Sequence, residues 1–185
     1  MIELDGKFQS LYSSQNQYNE SIVLDQFIPL NSSDNTNIIS MDNNGQDMVG
    51  CAEFSGLISN SALSSSPIQS AGSSDILLFG WNNSTGYWHT TLGGTAKEFC
   101  WDVKWDQNGE VVIGGYFYDT FSIGGTQLVS NGFMDSFAAR YDYKTDTWTG
   151  VNSFGSIGNK NDNVRSISVL SNGSYFLLST SNGNF

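Results

Sequence analysis

Positive charge is scarce in this chain of 185 residues: seven Lys and Arg stand against eighteen Asp and Glu, for a net charge of −11. Such a surface repels phosphate backbones, which argues against nucleic acid and anionic membranes as partners. Histidine occurs once, as His89, so no zinc or copper site with several histidines can be built within the chain. A Ser-His-Asp triad is open only through His89, and no GxSxG elbow supports it. Its simpler reading is an exposed side chain after Trp88. No run reaches the roughly 18 apolar residues needed to span a bilayer. The opening MIELDGKFQS has no apolar stretch of signal-peptide length, so a signal peptide would have to lie on a longer parent.

Cysteine is limited to Cys51 and Cys100, too far apart for a close metal pair. Two small buried side chains is the favoured reading. A disulfide, which implies an oxidising compartment, is the alternative. Proline occurs twice against twenty glycines, and runs rich in Ala, Leu, Glu and Lys are absent, which disfavours long helices. What is abundant is aromatic: five Trp, eight Tyr and twelve Phe supply burial in few positions and suit a β-rich fold.

The chain is internally self-similar. Asn44-Gly45, Asn108-Gly109 and Asn172-Gly173 follow one another at intervals of 64 residues. Asn-Gly between apolar runs signals a hairpin with a type I′ turn, which needs positive φ at both central residues. Before the turns, Ile39, Val103 and Ile167 align, as do Met41, Trp105 and Val169, with Ser40, Lys104 and Ser168 facing the other way. After them, DMVGCAEF, EVVIGGYF and SYFLLSTS are more continuously apolar and read as inner strands covered on both sides. A second hairpin aligns at an offset of 60, with Asp75 on Asp135, Trp81 on Tyr141 and Trp88 on Trp148.

Each unit therefore holds about four strands. Units are drawn at 54–117 and 118–181, after a degenerate one at 1–53 and before a truncated start at 182–185. A four-stranded sheet with two apolar faces needs stacked copies, and radial stacking gives a propeller. The expected fold is all-β: a partial β-propeller of about three four-stranded antiparallel blades, an open arc or a fragment. A single β-sandwich is the alternative.

Phe121, Gly124-Gly125, Leu128, Gly132, Asp135, Phe137, Tyr141, Trp148 and Asn172-Gly173 resemble the propeller-type repeat called SBBP. YDYKTDTWTG together with Gly114-Gly115 also resembles kelch, although the unit is longer than a typical kelch repeat. The di-glycine becomes Gly50-Cys51 in the first copy and Leu178-Ser179 in the third. The resemblance implies propeller blades, common in secreted or surface proteins of microbes, and no single activity.

Candidate binding residues are Trp81, Tyr87, Tyr116 and Tyr118, with Tyr143, whose rings suit stacking on sugars or peptides; the simpler reading is core or packing between blades. Asp75 and Asp135 precede equivalent strands. They could act as paired carboxylates in glycoside hydrolysis, but bonding to loop amides is the expected task. Asp42, Asn44 and Asp47, and Asp106, Asn108 and Glu110, alternate oxygen ligands as calcium loops do, yet lack the twelve-residue pattern. Asn-X-Ser/Thr sequons at Asn19, Asn31, Asn82, Asn83 and Asn172 lean towards a surface location. The sequence thus points to a non-catalytic interaction platform or spacer, extracellular or on the cell surface. It would bind protein or glycan, need no cofactor or metal, insert in no membrane, and associate with further blades or with itself. A fragment of a propeller glycosidase or lyase is the alternative.

Overall fold

The computed structural model describes residues 2–4, 7–9, 30 and 32–181. Residues 1, 5–6, 10–29 and 31 of the first expected unit, residues 182–185, and the sequons at Asn19 and Asn31 lie outside them. All the described elements are strands, and all are antiparallel in their sheets.

Strands β1 (Ile2–Leu4) and β2 (Lys7–Gln9) pair with each other. Then come β3 (Thr36–Asn43), β4 (Met48–Phe54), the short hairpin β5 (Leu57–Ile58) and β6 (Ile68–Gln69), β7 (Asp75–Asn82) and β8 (Gly86–Leu92). The sheet order is β3-β4-β7-β8, with β5-β6 apart. The same order recurs with β9 (Glu98–Trp105), β10 (Val111–Phe117), the hairpin β11 (Thr120–Ile123) and β12 (Thr126–Val129), β13 (Asp135–Asp142) and β14 (Thr147–Phe154). Finally β15 (Asp162–Val169) pairs with β16 (Tyr175–Ser181). We call these sheets one, two and three.

The four-stranded sheets therefore run from residue 36 to 92 and from 98 to 154. Units cut at 54–117 and 118–181 begin and end inside sheets, because a period fixes the length of a repeat and leaves its phase open. The physical breaks are the loops after Leu92 and Phe154. There Ser74 bridges Lys97 and Met134 bridges Asn161, both parallel, linking each sheet to the start of the next.

Alternation explains the packing. On sheet one, Val49, Cys51, Ile76 and Leu78 join a cluster with Cys100, Val103, Ile113 and Ala139 of sheet two. Their neighbours Ala52, Phe54, Leu77 and Phe79 point the other way, into a cluster with Ile58, Leu63 and Ile68. On the far side of sheet two, Val112 packs on Val164 and Ile167 of sheet three. The sheets thus stack face to face in chain order. Strands β4 and β10 are inner and covered as expected. The third copy is not: Phe176 and Leu178 of β16 are 64% and 66% exposed.

Three registers depart from the sequence alignment. All three Asn-Gly pairs sit in hairpin turns, but only the glycine has positive φ, at 91°, 77° and 81°. In the second, the Gly109 amide donates to the Asp106 carbonyl and the Asp106 amide to the Glu110 carbonyl. That is a five-residue turn closed by a glycine bulge. The turn with positive φ at both central residues is Gly124-Gly125, at 55° and 83°. Next, Asn43 pairs with Met48 around a four-residue turn, whereas Trp105 pairs with Val111 around five. Met41 therefore does not match the buried Trp105 and is 51% exposed on the edge strand β3. Lastly, Tyr87 pairs with Trp81 whereas Trp148 pairs with Tyr141. The β13–β14 turn is one residue longer, so Trp88 and Trp148 face opposite sides of their sheets.

Candidate functional site

The candidate residues fall into two groups at opposite strand ends. Trp81 and Tyr87 are cross-strand neighbours at the turn end of sheet one, both half-buried. Beside Trp81 opens a concavity between the β3–β4 and β7–β8 turns, lined by Gln46, Asp47, Trp81, Asn82, Asn83 and Ser84. Its polar rim is ordered. Asn82 Nδ2 donates to Asp47 Oδ1 at 2.6 Å and to the Tyr143 hydroxyl at 3.1 Å, and that hydroxyl lies 3.4 Å from Asp47 Oδ2. An indole face edged by amides and a carboxylate is chemistry that suits a sugar or a polar peptide. The counterpart of Trp81 in sheet two is Tyr141, which is buried and has Trp88 of sheet one 5.9 Å away. Among the described residues, no such indole stands over Trp81.

Tyr116 and Tyr118 belong to a row of rings at the other end, on sheet two. Trp101 lies 4.7 Å from Phe99, Phe99 stacks on Tyr116 at 5.2 Å, and Tyr118 meets Tyr116 at 5.8 Å and Phe133 at 5.1 Å. Arg165 covers Trp101 at 4.3 Å, and Lys97 sits 5.6 Å from Phe99 while pairing with Glu53 at 2.6 Å. These rings turn most of their faces to one another or to cations. They read as packing, with Phe133 the exposed member. Tyr143 likewise stacks on Trp88 at 5.0 Å, between sheets one and two.

Asp75 and Asp135 are buried and serve loop amides. Asp75 accepts from Ala71 and Gly72 at 2.7 and 3.1 Å, and Asp135 accepts from Asn131 at 2.7 Å. Each is packed against a glycine, Gly93 or Gly155, where a Cβ would strike the carboxylate. A second acid opens the next sheet: Glu98 accepts from the Gly94 amide at 2.8 Å, and Asp162 from the Ser156 amide at 2.7 Å. Burial, with Asp75 and Asp119 adding repulsion against the pull of the Gly94 amide, lifts Glu98 to about 7. Burial also raises Asp75 and Asp135. Asp75, Glu98 and Asp135 are buried, and amides of their own loops occupy their oxygens.

The oxygen-rich turns are also engaged. Asp106 Oδ1 accepts from the amides of Asn108 and Glu110, and its Oδ2 lies 3.2 Å from Arg140 Nε. Asp42 accepts from the Trp105 amide at 2.8 Å. Among the described residues no group of three or more His, Cys, Asp or Glu is arranged to hold a metal ion.

Asp102 is a node joining all three sheets, with Ser166 at the repeat spacing of 64 and Ser40 at 62. The first strand of each sheet carries a bulge, leaving Ile39, Trp101 and Arg165 as the extra residues. The next residues are Ser40, Asp102 and Ser166, and they meet. Asp102 accepts from Ser40 at 2.8 Å, Ser166 at 3.3 Å, Lys104 at 2.9 Å and the Ile167 amide at 2.8 Å. Burial works against its charge, but the Ile167 amide, Lys104 and Ser40 outweigh it and hold the carboxyl below its ordinary value.

The cysteines correct the favoured reading: Cys51 and Cys100 form a disulfide from β4 to β9, with Cα atoms 6.4 Å apart. At the next junction the corresponding positions are Gly114 and Val164, where a Cβ on Gly114 would lie 2.9 Å from Val164. No family model matches the chain, and neither does any curated protein or solved structure.

Proposed function

We propose that this chain is an array of propeller-type blades of the SBBP kind. It works outside the cell or at its surface as a non-catalytic interaction module, with a ligand surface at the turn end around Trp81. The observation that carries the reading is the stack itself. Two sheets have the same strand order, a third continues them, and Ser40, Asp102 and Ser166 come together from corresponding positions. Sheets joined only to their neighbours make a scaffold whose turns are free to vary and to bind. The Cys51–Cys100 disulfide agrees with an oxidising compartment. The ligand class that best suits an indole beside Asn82, Asn83 and Asp47 is a neutral glycan, with a polar peptide second.

The test is a glycan and peptide array on the whole chain, with Trp81→Ala beside it. Binding should fall at least about tenfold in the variant, the loss expected from one stacking indole, while the circular dichroism spectrum stays unchanged. A hydrolytic rate abolished by Asp75→Asn or Asp135→Asn would sink the non-catalytic reading.

A further inference from the structure

The β7–β8 hairpin closes on the pair Asn82 and Gly86, with Asn83, Ser84 and Thr85 at its tip. Gly86 takes a φ of 80°, so the tip is a tight turn finished by a glycine bulge. Trp81 and Asn83, two residues apart, both line the concavity between this turn and the β3–β4 turn. Asn83-Ser84-Thr85 is an acceptor sequence for N-glycosylation, and so is the overlapping Asn82-Asn83-Ser84. The fold separates the two. Asn82 Oδ1 accepts from the Ser84 and Thr85 amides at 2.9 and 3.1 Å. Its Nδ2 gives both hydrogens away, to Asp47 at 2.6 Å and to the Tyr143 hydroxyl at 3.1 Å. A sugar on that nitrogen replaces one hydrogen and forfeits one of these bonds. Asn83, by contrast, is exposed, as are Ser84 and Thr85.

We propose that Asn83 is an N-glycan acceptor and that the first N-acetylglucosamine of its glycan lies on the indole of Trp81. The proposal rests on the reading of Trp81 as a sugar platform outside the cell, and it supplies that site's regulation. The chain's own glycan covers the indole and keeps other ligands off. The donor is a lipid-diphosphate-linked oligosaccharide of the secretory pathway. Asn83 Nδ2 gives up a proton and bonds to the anomeric carbon of the sugar. The bond from that carbon to the diphosphate breaks, and the lipid diphosphate leaves with its electron pair; nothing is oxidised or reduced. The sugar then emerges two residues from a half-buried indole, whose apolar face suits the C–H side of a pyranose ring.

The other copies lack this combination. In sheet two, at the offset of 60, Tyr141 and Tyr143 stand for Trp81 and Asn83. Tyr141 is buried and Tyr143 stacks on Trp88 at 5.0 Å, which leaves neither acceptor nor platform. The sequon at Asn172 has Leu170 two residues before it in place of an indole, and Asn172 Oδ1 accepts from the Ser174 amide at 3.0 Å. It is the internal comparison.

The experiment secretes the whole chain from an N-glycosylating eukaryotic host, trims each glycan to one N-acetylglucosamine and maps the sugars by peptide mass spectrometry. The expected result is a sugar on Asn83 and none on Asn82. The trimmed chain should melt about 2–4 °C above Asn83→Gln, the shift expected of one ring contact. The acetyl methyl of the Asn83 sugar should show nuclear Overhauser contacts to the Trp81 ring. Trp81→Ala should abolish the gain, Trp81→Phe should retain most of it, and Asn172→Gln should bring no such loss. The proposal is overturned by an unmodified Asn83, by a sugar on Asn82 instead, or by a gain that survives Trp81→Ala. If Trp81→Ala does not fold, the contacts in the wild type decide, and their absence overturns the proposal. A glycan array on the chain from a host without N-glycosylation separates this from the ligand reading. If that chain binds nothing through Trp81 while the Asn83 sugar stacks there, the ligand reading falls and the acceptor site stands. If it binds an array glycan through Trp81 while Asn83 carries no sugar, the acceptor site falls alone.

Discussion

Asp102 is held by donors from all three sheets, and its charge is what they share. Removing the carboxylate in Asp102→Ala leaves the Ile167 amide and two hydroxyls without their acceptor in a buried place. The cost should be about 3 kcal/mol at neutral pH. Its pKa is depressed in the fold, so the stabilisation is complete above the unfolded value near 3.8 and fades as pH falls through the lower folded value. Urea melts should therefore show the gap between wild type and variant narrowing below pH 3.8. Glu98 has the opposite sign. Its folded value, about 7, lies above the unfolded 4.5, so stability is full below 4.5 and lost as pH rises towards 7. Glu98→Gln should match the wild type at pH 4 and exceed it at pH 8 by up to about 3 kcal/mol. A wild type as stable at pH 8 as the variant would refute the buried-acid account. The loop-amide role of Asp75 and Asp135 was legible in the sequence because both acids stand at one place before a strand. Asp102 was legible only by half: Ser166 stands at the repeat spacing of 64, but Ser40 is 62 residues away and the three residue types differ.

At the scale of elements, turn length decides which side chains face each other. The Asn-Gly pairs located three hairpins, because glycine takes the positive φ of these turns without a steric cost. They did not fix the register: a four-residue turn in one copy and five in the others shift the strands, and a one-residue slip reverses faces. Bulges at Ile39, Trp101 and Arg165 are equally silent in sequence, since the extra residue carries no common side chain. The disulfide was open for another reason: pairing depends on β4 of one sheet lying against β9 of the next, which no local pattern states. It closes a span of 49 residues, and chain entropy alone gives it about 4 kcal/mol. Reduction, or Cys51→Ser with Cys100→Ser, should lower the melting temperature by roughly 8–16 °C. The remedy at the next junction is steric. Gly114→Ala pushes a methyl into Val164 and should cost about 1–3 kcal/mol, read by the same melts.

At the scale of the molecule, stability should grade along the stack. The all-β class was legible from alternation and aromatic content. The stacking order was not, because it depends on which faces remain apolar after each sheet has formed. Sheet two has neighbours on both faces, through the clusters with sheet one and with Val164 and Ile167. Among the described residues, sheet three has one such neighbour and two strands, with Phe176 and Leu178 exposed. Units that gain most of their stability from adjoining copies open from the ends. Native-state hydrogen exchange should find the slowest amides in β10 and β13 and those of β4 and β7 close behind. The amides of β15 and β16 should open at a free energy several kcal/mol lower. Breaking the Asp102 node should widen that difference, because Ile167 and Ser166 are anchored there. If β15–β16 instead opened together with β10 and β13, at one free energy, the molecule would be a single cooperative body, and the account of separately stacked sheets would be wrong.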